Sequence, residues 1–167
     1  GKACGPDNLS SEHLLNSHPA LVVHLSLLFR GMASHGFVPN EFGKGIIVPL
    51  LKDKLGDVND VNNYRVITLI PVISKLFELV ILDIGASYLQ TDDLQFGFKD
   101  NLGCANAIFV LSETIEYFRS RGSSVFTAAL DFKKAFYTVS HFKLFSFLIK
   151  ANLPKWIISI LLDWYSK

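Results

Sequence analysis

The sequence predicts a helix-rich α+β fold with at least three strands. Three observations carry that prediction. Apolar residues recur at helical spacing in six segments, three short apolar runs are bounded by charged or turn residues, and glycine and proline mark the junctions. At 167 residues the chain is one domain or a piece of a larger one. Half of its residues are apolar, with 14 Phe and 5 Tyr among them, which is enough for a core. The net charge of +1 predicts no strong bulk attraction to nucleic acid, so any basic surface has to be a local patch. Cys4 and Cys104 lie far apart without CxxC spacing, which argues against a zinc site and a disulfide scaffold and fits a reducing compartment. The histidines are scattered and form no i, i+4 metal pair. No signal peptide is visible. The longest strongly apolar stretches, 45–51 and 156–162, are far shorter than the roughly 20 residues a membrane helix needs. Both ends read as cut: the first residue is Gly1, and Lys167 follows directly on a helical pattern.

In chain order, Gly5-Pro6-Asp7-Asn8 is a turn cluster, and Ser10 or Ser11 can cap a short helix through Leu15. Pro19 suits the first turn of the next helix, where Leu21, Leu25, Leu28 and Met32 form one apolar face before Gly36 stops it. Gly43-Lys44-Gly45 lacks the spacing of a phosphate loop and precedes a strand rather than a helix. Residues 46–51 read as a buried strand, 55–63 as a polar loop, and 66–70 as a second strand opened by Tyr64-Arg65, so the two make a hairpin. Lys52 and Arg65 then lie near each other at its open end. They are either two solvated surface charges or a grip for a polyphosphate, Arg as a fork and Lys as a point charge.

Pro71 starts a helix with Ile73, Leu76, Phe77, Val80, Ile81, Ile84 and Tyr88 on one face. After a polar break at 90–93 comes Gln95-Phe96-Gly97-Phe98. It is either a connector or a place where glycine lets backbone approach a ligand while Gln95 bonds a base edge or sugar. A helix over 104–119 buries Ile108, Leu111, Ile115 and Phe118, and Arg121-Gly122-Ser123 ends it. Residues 124–130 form the third, central strand. It delivers Asp131 where the apolar run stops, as a strand does when it holds a metal ligand rigidly. On this stretch alone an ordinary turn aspartate is the preferred reading. Two more helices follow, over 141–151 and from Pro154 to 165.

Six blocks stand in order along the chain: Gly5-Pro6-Asp7, Pro49-Leu50-Leu51-Lys52, Asn63-Tyr64-Arg65-Val66-Ile67-Thr68-Leu69, Ser74-Lys75-Leu76-Phe77-Glu78, Gln95-Phe96-Gly97-Phe98 and Leu130-Asp131-Phe132-Lys133-Lys134-Ala135-Phe136. Taken together, and covering the chain from Gly5 to about Lys150, they resemble the N-terminal part of a reverse transcriptase of the LINE type, from a non-LTR retrotransposon. The resemblance implies a partial right-hand polymerase: fingers and connecting helices over 1–122, and an incomplete palm over 123–167, truncated before the second catalytic aspartate box. It implies that Asp131 is a catalytic aspartate ligating both Mg²⁺ ions (Mn²⁺ in their place), with the Phe132 carbonyl as a backbone ligand. By the same resemblance Lys52 and Arg65 grip the incoming dNTP. Ala135 and Phe136 belong to the same nucleotide site, Phe136 as the ring that packs under the sugar and rejects a 2′-hydroxyl. Gln95, Gly97 and Phe98 touch the RNA template and DNA primer.

The implied chemistry is attack of a primer 3′-hydroxyl on the α-phosphorus of a dNTP. Two hard divalent ions on carboxylates stabilise the attacking and leaving oxygens, and fingers cations neutralise the leaving pyrophosphate. The implied partners are template, primer, dNTPs and the rest of the retrotransposon polyprotein: the remaining palm, a thumb and, where the element carries one, an endonuclease domain. No membrane is implied, and the location is intracellular, nucleus or cytoplasm.

Two positions depart from the family pattern: Tyr137 stands where Asp usually follows the sugar-gate aromatic, and Val66 where Pro or Gly is common. The sequence also contains no aromatic-x-Asp-Asp box after Asp131, and neither Asp92-Asp93 nor Asp163 replaces it. The expectation is that this polypeptide alone does not polymerise DNA. Two alternatives are a non-catalytic RNA-binding remnant, salt-sensitive and dependent on Lys52 and Arg65 but not Asp131, and a non-functional relic of a decayed element with no specific affinity.

Overall fold

The computed structural model describes residues 3–132 and 135–167. Lys133 and Lys134, part of the last sequence block, lie outside the described residues, as do Gly1 and Lys2 at the amino end. The chain divides into two compact units, residues 1–88 with 145–167, and residues 89–144. Among the described residues there are six α-helices and one two-stranded sheet, a mixed α+β fold in which helix dominates. No helix among them is long and apolar enough to cross a membrane.

The first unit holds the core. Helix α1 (Ser11–Leu15) starts from Ser10, whose N–H is accepted by His13 Nδ1 at 2.9 Å, so a histidine fills the place of the usual capping-box acid. Helix α2 (Ala20–His35) begins after Pro19 and ends at Gly36, whose φ of 61° is the left-handed cap expected of glycine. Its inward face is Leu25, Phe29 and Met32, while Leu28, expected on that face, is 41 % exposed. The i, i+4 count from Leu25 reaches Phe29, and a stripe along one side of a helix can follow that row or its neighbour.

Strands β1 (Ile46–Leu51) and β2 (Tyr64–Leu69) pair antiparallel, with Ile46 opposite Leu69 and Leu51 opposite Tyr64. The expected hairpin forms, but its strands are not buried: of β1 only Val48 is even partly covered. In a sheet of two strands both are edges, and most residues of each strand are exposed. Pro49 has no N–H to give, so its pair with Val66 has to be one of the non-hydrogen-bonded rungs.

Helix α3 (Val72–Gly85) starts after Pro71, as its sequence predicts, and buries Phe77 and Ile81. Helices α5 (His141–Lys150) and α6 (Lys155–Tyr165) match the last two periodic segments, and Ile157 and Ile160 of α6 are fully buried. Phe77 is the centre of the core. Its ring lies 4.9 Å from Phe29, 6.2 Å from Phe42 and 5.7 Å from Trp164, the last at a stacked 27°. Burying one such ring stabilises the fold by roughly 1.5–3 kcal/mol, and offset or edge-on aromatic neighbours add about 0.5–1.5 kcal/mol per pair. A polar tie joins α6 to the segment after α2: Asp163 Oδ2 accepts the Val38 N–H at 2.7 Å and the Lys167 ammonium at 2.7 Å. Gly5 is where the first turn meets the hairpin exit. A side chain there would come within 2.5 Å of the Ile70 carbonyl oxygen, so only glycine fits.

The second unit contains α4 (Cys104–Arg119), closed by Gly122 at φ 77° with the Ser123 N–H returning to the Phe118 carbonyl at 3.0 Å. Ile108, Leu111 and Phe118, expected to be buried, are 63 %, 50 % and 45 % exposed. Among the described residues of this unit none is buried, and of the expected α4 stripe only Ile115 is half-buried. The expected central strand is absent as well. Residues 123–132 carry no strand pairing, with Phe126 and Leu130 almost fully exposed. An apolar run becomes a strand only where a neighbour completes its ladder, and among the described residues none does.

Candidate nucleotide and template site

Of the residues singled out by sequence, Lys52 and Arg65 belong to the first unit. Gln95, Gly97, Phe98, Asp131, Phe132, Ala135 and Phe136 belong to the second.

The hairpin brings Lys52 and Arg65 to one face. Arg65 lies opposite Leu50, and Lys52 is two residues beyond Leu50, so by strand alternation all three share a side of the ribbon. The Lys52 N–H donates to the Asn63 carbonyl at 2.7 Å, which extends the ladder one rung past β1. Diagonal neighbours of this kind sit about 7–8 Å apart at Cα. The two cations lie at the loop end of the hairpin, not at the open end expected from sequence, because the strands are joined through 52–63 directly beside them. Both are exposed, and among the described residues neither forms an ion pair with a carboxylate. Lys52 Nζ instead donates to the Asn62 carbonyl at 2.7 Å.

In the second unit, two residues from separate sequence blocks meet. The rings of Phe98 and Phe136 are 6.4 Å apart and nearly perpendicular at 88°. They are 93 % and 80 % exposed, so this aromatic pair faces solvent. Phe136 and Ala135 lie in a 3₁₀ turn, Ala135–Tyr137, with the Thr138 N–H returning to the Ala135 carbonyl at 3.3 Å. Phe98 has φ 60°, a left-handed conformation that costs a bulky side chain about 1–3 kcal/mol. Gly97, one residue earlier, has open space where a side chain would go. The segment is set by a turn at Asp92, whose Oδ1 accepts the Leu94 N–H at 2.8 Å and whose carbonyl accepts Lys99 Nζ at 2.5 Å. Gln95 Nε2 donates to the Gly97 carbonyl at 3.1 Å, which spends one amide proton inside the loop.

Asp131 and Phe132 are exposed at the end of the unpaired 123–132 stretch rather than at the end of a strand. Among the described residues no three His, Cys, Asp or Glu side chains come together in a way that would hold a metal ion. One carboxylate does not fit a pair of Mg²⁺ ions, which need several oxygen ligands between them.

Sequence reasoning passed over Asn63, quoting it inside a block without giving it a role. Its side chain turns out to organise the loop between the two strands. The readable signal was the run of turn formers at Asp53, Gly56, Asp57, Asp60 and Asn63, which marks a built loop rather than a slack one.

No model of a known protein family matches the chain, and a search of curated proteins found no match.

Proposed function

We propose that this chain is the fingers and the beginning of the palm of an RNA-directed DNA polymerase of the LINE type, contributing nucleotide and template contacts but not polymerising alone. One observation carries the proposal. Phe98 and Phe136, taken from two separate blocks as template and nucleotide contacts, stand edge to face and open to solvent. A nucleobase gains roughly 1–3 kcal/mol by stacking on an accessible aromatic ring. Two further features support the reading. Phe98 holds a strained backbone beside the open flank of Gly97. Lys52 and Arg65 share one face of the hairpin without carboxylate partners among the described residues. The two cations and two rings are the parts that grip phosphates and bases, and neither needs a metal to act.

The test is fluorescence anisotropy of the 167-residue chain with an RNA template annealed to a DNA primer, against heparin as a featureless polyanion. The expected result is binding that weakens with salt, is reduced by Lys52→Ala with Arg65→Ala, and is tightened by the dNTP complementary to the template, a response a non-catalytic RNA-binding remnant would not give. Equal affinity for heparin and template–primer, insensitive to both cations, would leave a relic without specific affinity. Template-dependent primer extension by the chain alone, with Mg²⁺ and dNTPs, would overturn the incomplete-palm half of the proposal.

A further inference from the structure

Residues 52–63 are too well bonded to be a passive connector. The Asn63 side chain donates from Nδ2 to the carbonyls of Asp53 and Asp57, at 3.1 and 3.2 Å, and accepts the Asp53 N–H on Oδ1 at 3.1 Å. Its own carbonyl accepts the Lys52 N–H at 2.7 Å. One residue thus pins the loop at Lys52, Asp53 and Asp57 together. Gly56 is packed against it: a Cβ at that position would sit 2.8 Å from Asn63 Nδ2. Three aspartates each fold the chain locally, Asp53 accepting the Leu55 N–H, Asp57 the Asn59 N–H and Asp60 the Asn62 N–H, at 2.8 to 2.9 Å. The Tyr64 hydroxyl ties the far side by donating to the Val58 carbonyl at 2.8 Å.

These bonds have a consequence for Lys52. Its ammonium rests on the carbonyl of Asn62, the residue directly before Asn63. That carbonyl is neutral, so the charge is held in place without being neutralised, and two of the three ammonium donors stay available. A lysine on a free loop would have to give up rotamer freedom on binding, and here part of that ordering is built in beforehand. The loop aspartates, which could compete for the cation, use Oδ1 on backbone N–H groups, and none forms an ion pair with Lys52 among the described residues.

We infer that Asn63 is a positioning residue, which holds the Lys52 ammonium on the Arg65 face of the hairpin so that the pair is preset to receive a polyphosphate. This rests on the reading of Lys52 and Arg65 as the triphosphate grip. Asn63 itself touches no phosphate; it acts through Lys52.

The experiment is calorimetric titration of the 167-residue chain with inorganic tripolyphosphate and with dTTP. Lys52→Ala and Arg65→Ala are each expected to weaken binding about tenfold, the worth of one charge-assisted contact. Asn63→Ala is expected to weaken it about three- to tenfold, and to add little once Lys52 is already Ala. Gly56→Ala, which displaces the Asn63 amide without touching any charge, is expected to reproduce the loss. It serves as the gentler variant if Asn63→Ala disturbs folding, which melting temperature reads independently. If Lys52→Ala weakens binding while Asn63→Ala and Gly56→Ala do not, the positioning role is wrong and the grip stands. An Asn63→Ala effect as large in the Lys52→Ala background as alone would also overturn it, since the residue would not be acting through Lys52. If neither Lys52→Ala nor Arg65→Ala weakens binding, the grip itself falls and the role of Asn63 falls with it.

Discussion

Phe98 concentrates the conflict between stability and use in a single residue. Its left-handed backbone, at φ 60°, suits glycine, and its ring gains only an edge contact with Phe136 in return. Strain that is not repaid inside the fold is a common mark of a working position. Phe98→Gly is therefore expected to leave the melting temperature unchanged or raise it slightly, while weakening template–primer binding by about fivefold or more through the lost stacking surface. Parallel melting and anisotropy curves check both halves. A matched loss of stability and affinity would mean the ring is simply part of the packing. Sequence reading singled out Phe98 and Gly97 together but placed the conformational freedom on Gly97, because glycine is the usual carrier of a positive φ. Which of two adjacent residues takes that conformation is a property of the folded loop, and this does not show in composition.

At the scale of elements, α3 and α6 carry two carboxyl groups that respond to pH in opposite directions. Glu78 of α3 borders a cavity of about 510 Å³ lined also by Phe42, Ile81 and Trp164. Desolvation raises its pKa above the ordinary value, and Lys75 opposes this only in part. A raised carboxyl pKa means the folded state holds its proton longer than the unfolded chain does. Glu78 therefore subtracts stability progressively as pH rises from its ordinary value through the raised one. Asp163 of α6 is the reverse. The Lys167 ammonium and the Val38 N–H both favour its charged form and lower its pKa, so its contribution is present above the ordinary value and lost as pH falls through the lowered one. Thermal melts across pH 3 to 7 of Glu78→Gln and Asp163→Asn against the parent check this (roughly the span in which carboxyl groups titrate). Glu78→Gln is expected to be the more stable at neutral pH, with the gap closing in acid. Asp163→Asn is expected to be the less stable at neutral pH, with that gap also closing in acid. Gaps that stay constant with pH would show that charge is not the cause.

For the molecule as a whole, apolar burial is unequal between the two units. The first has the Phe77-centred core, while the second has no buried residue among those described. An amphipathic helix owes most of its stability to the face it buries, so α4 has little beyond its own hydrogen bonds. Amide hydrogen exchange is expected to be markedly faster along Cys104–Arg119 than along Val72–Gly85. Equal protection in the two helices would mean that α4 is covered in solution. The exposed Ile108, Leu111 and Phe118 form the kind of surface that calls for a covering layer, and a continued palm is one such layer under the proposed function.

What the sequence determined by itself was local. Prolines at 19, 71 and 154 and glycines at 36 and 122 fixed where α2, α3, α6 and α4 begin or stop, because they act on the backbone of their immediate neighbours. The hairpin was legible for the same reason, as two apolar runs with a polar loop between them. What only the tertiary structure decided was burial and pairing. Whether Leu28 or Phe29 faces inward, whether the hairpin or α4 is covered, and whether 123–132 finds a strand partner all depend on chain distant in sequence. The same holds at the candidate site. Residue types suggested the cations and the rings, but the meeting of Phe98 with Phe136 and the bonding of Asn63 across the loop are properties of the folded backbone. Periodicity records which faces are apolar; it does not record what comes to lie against them.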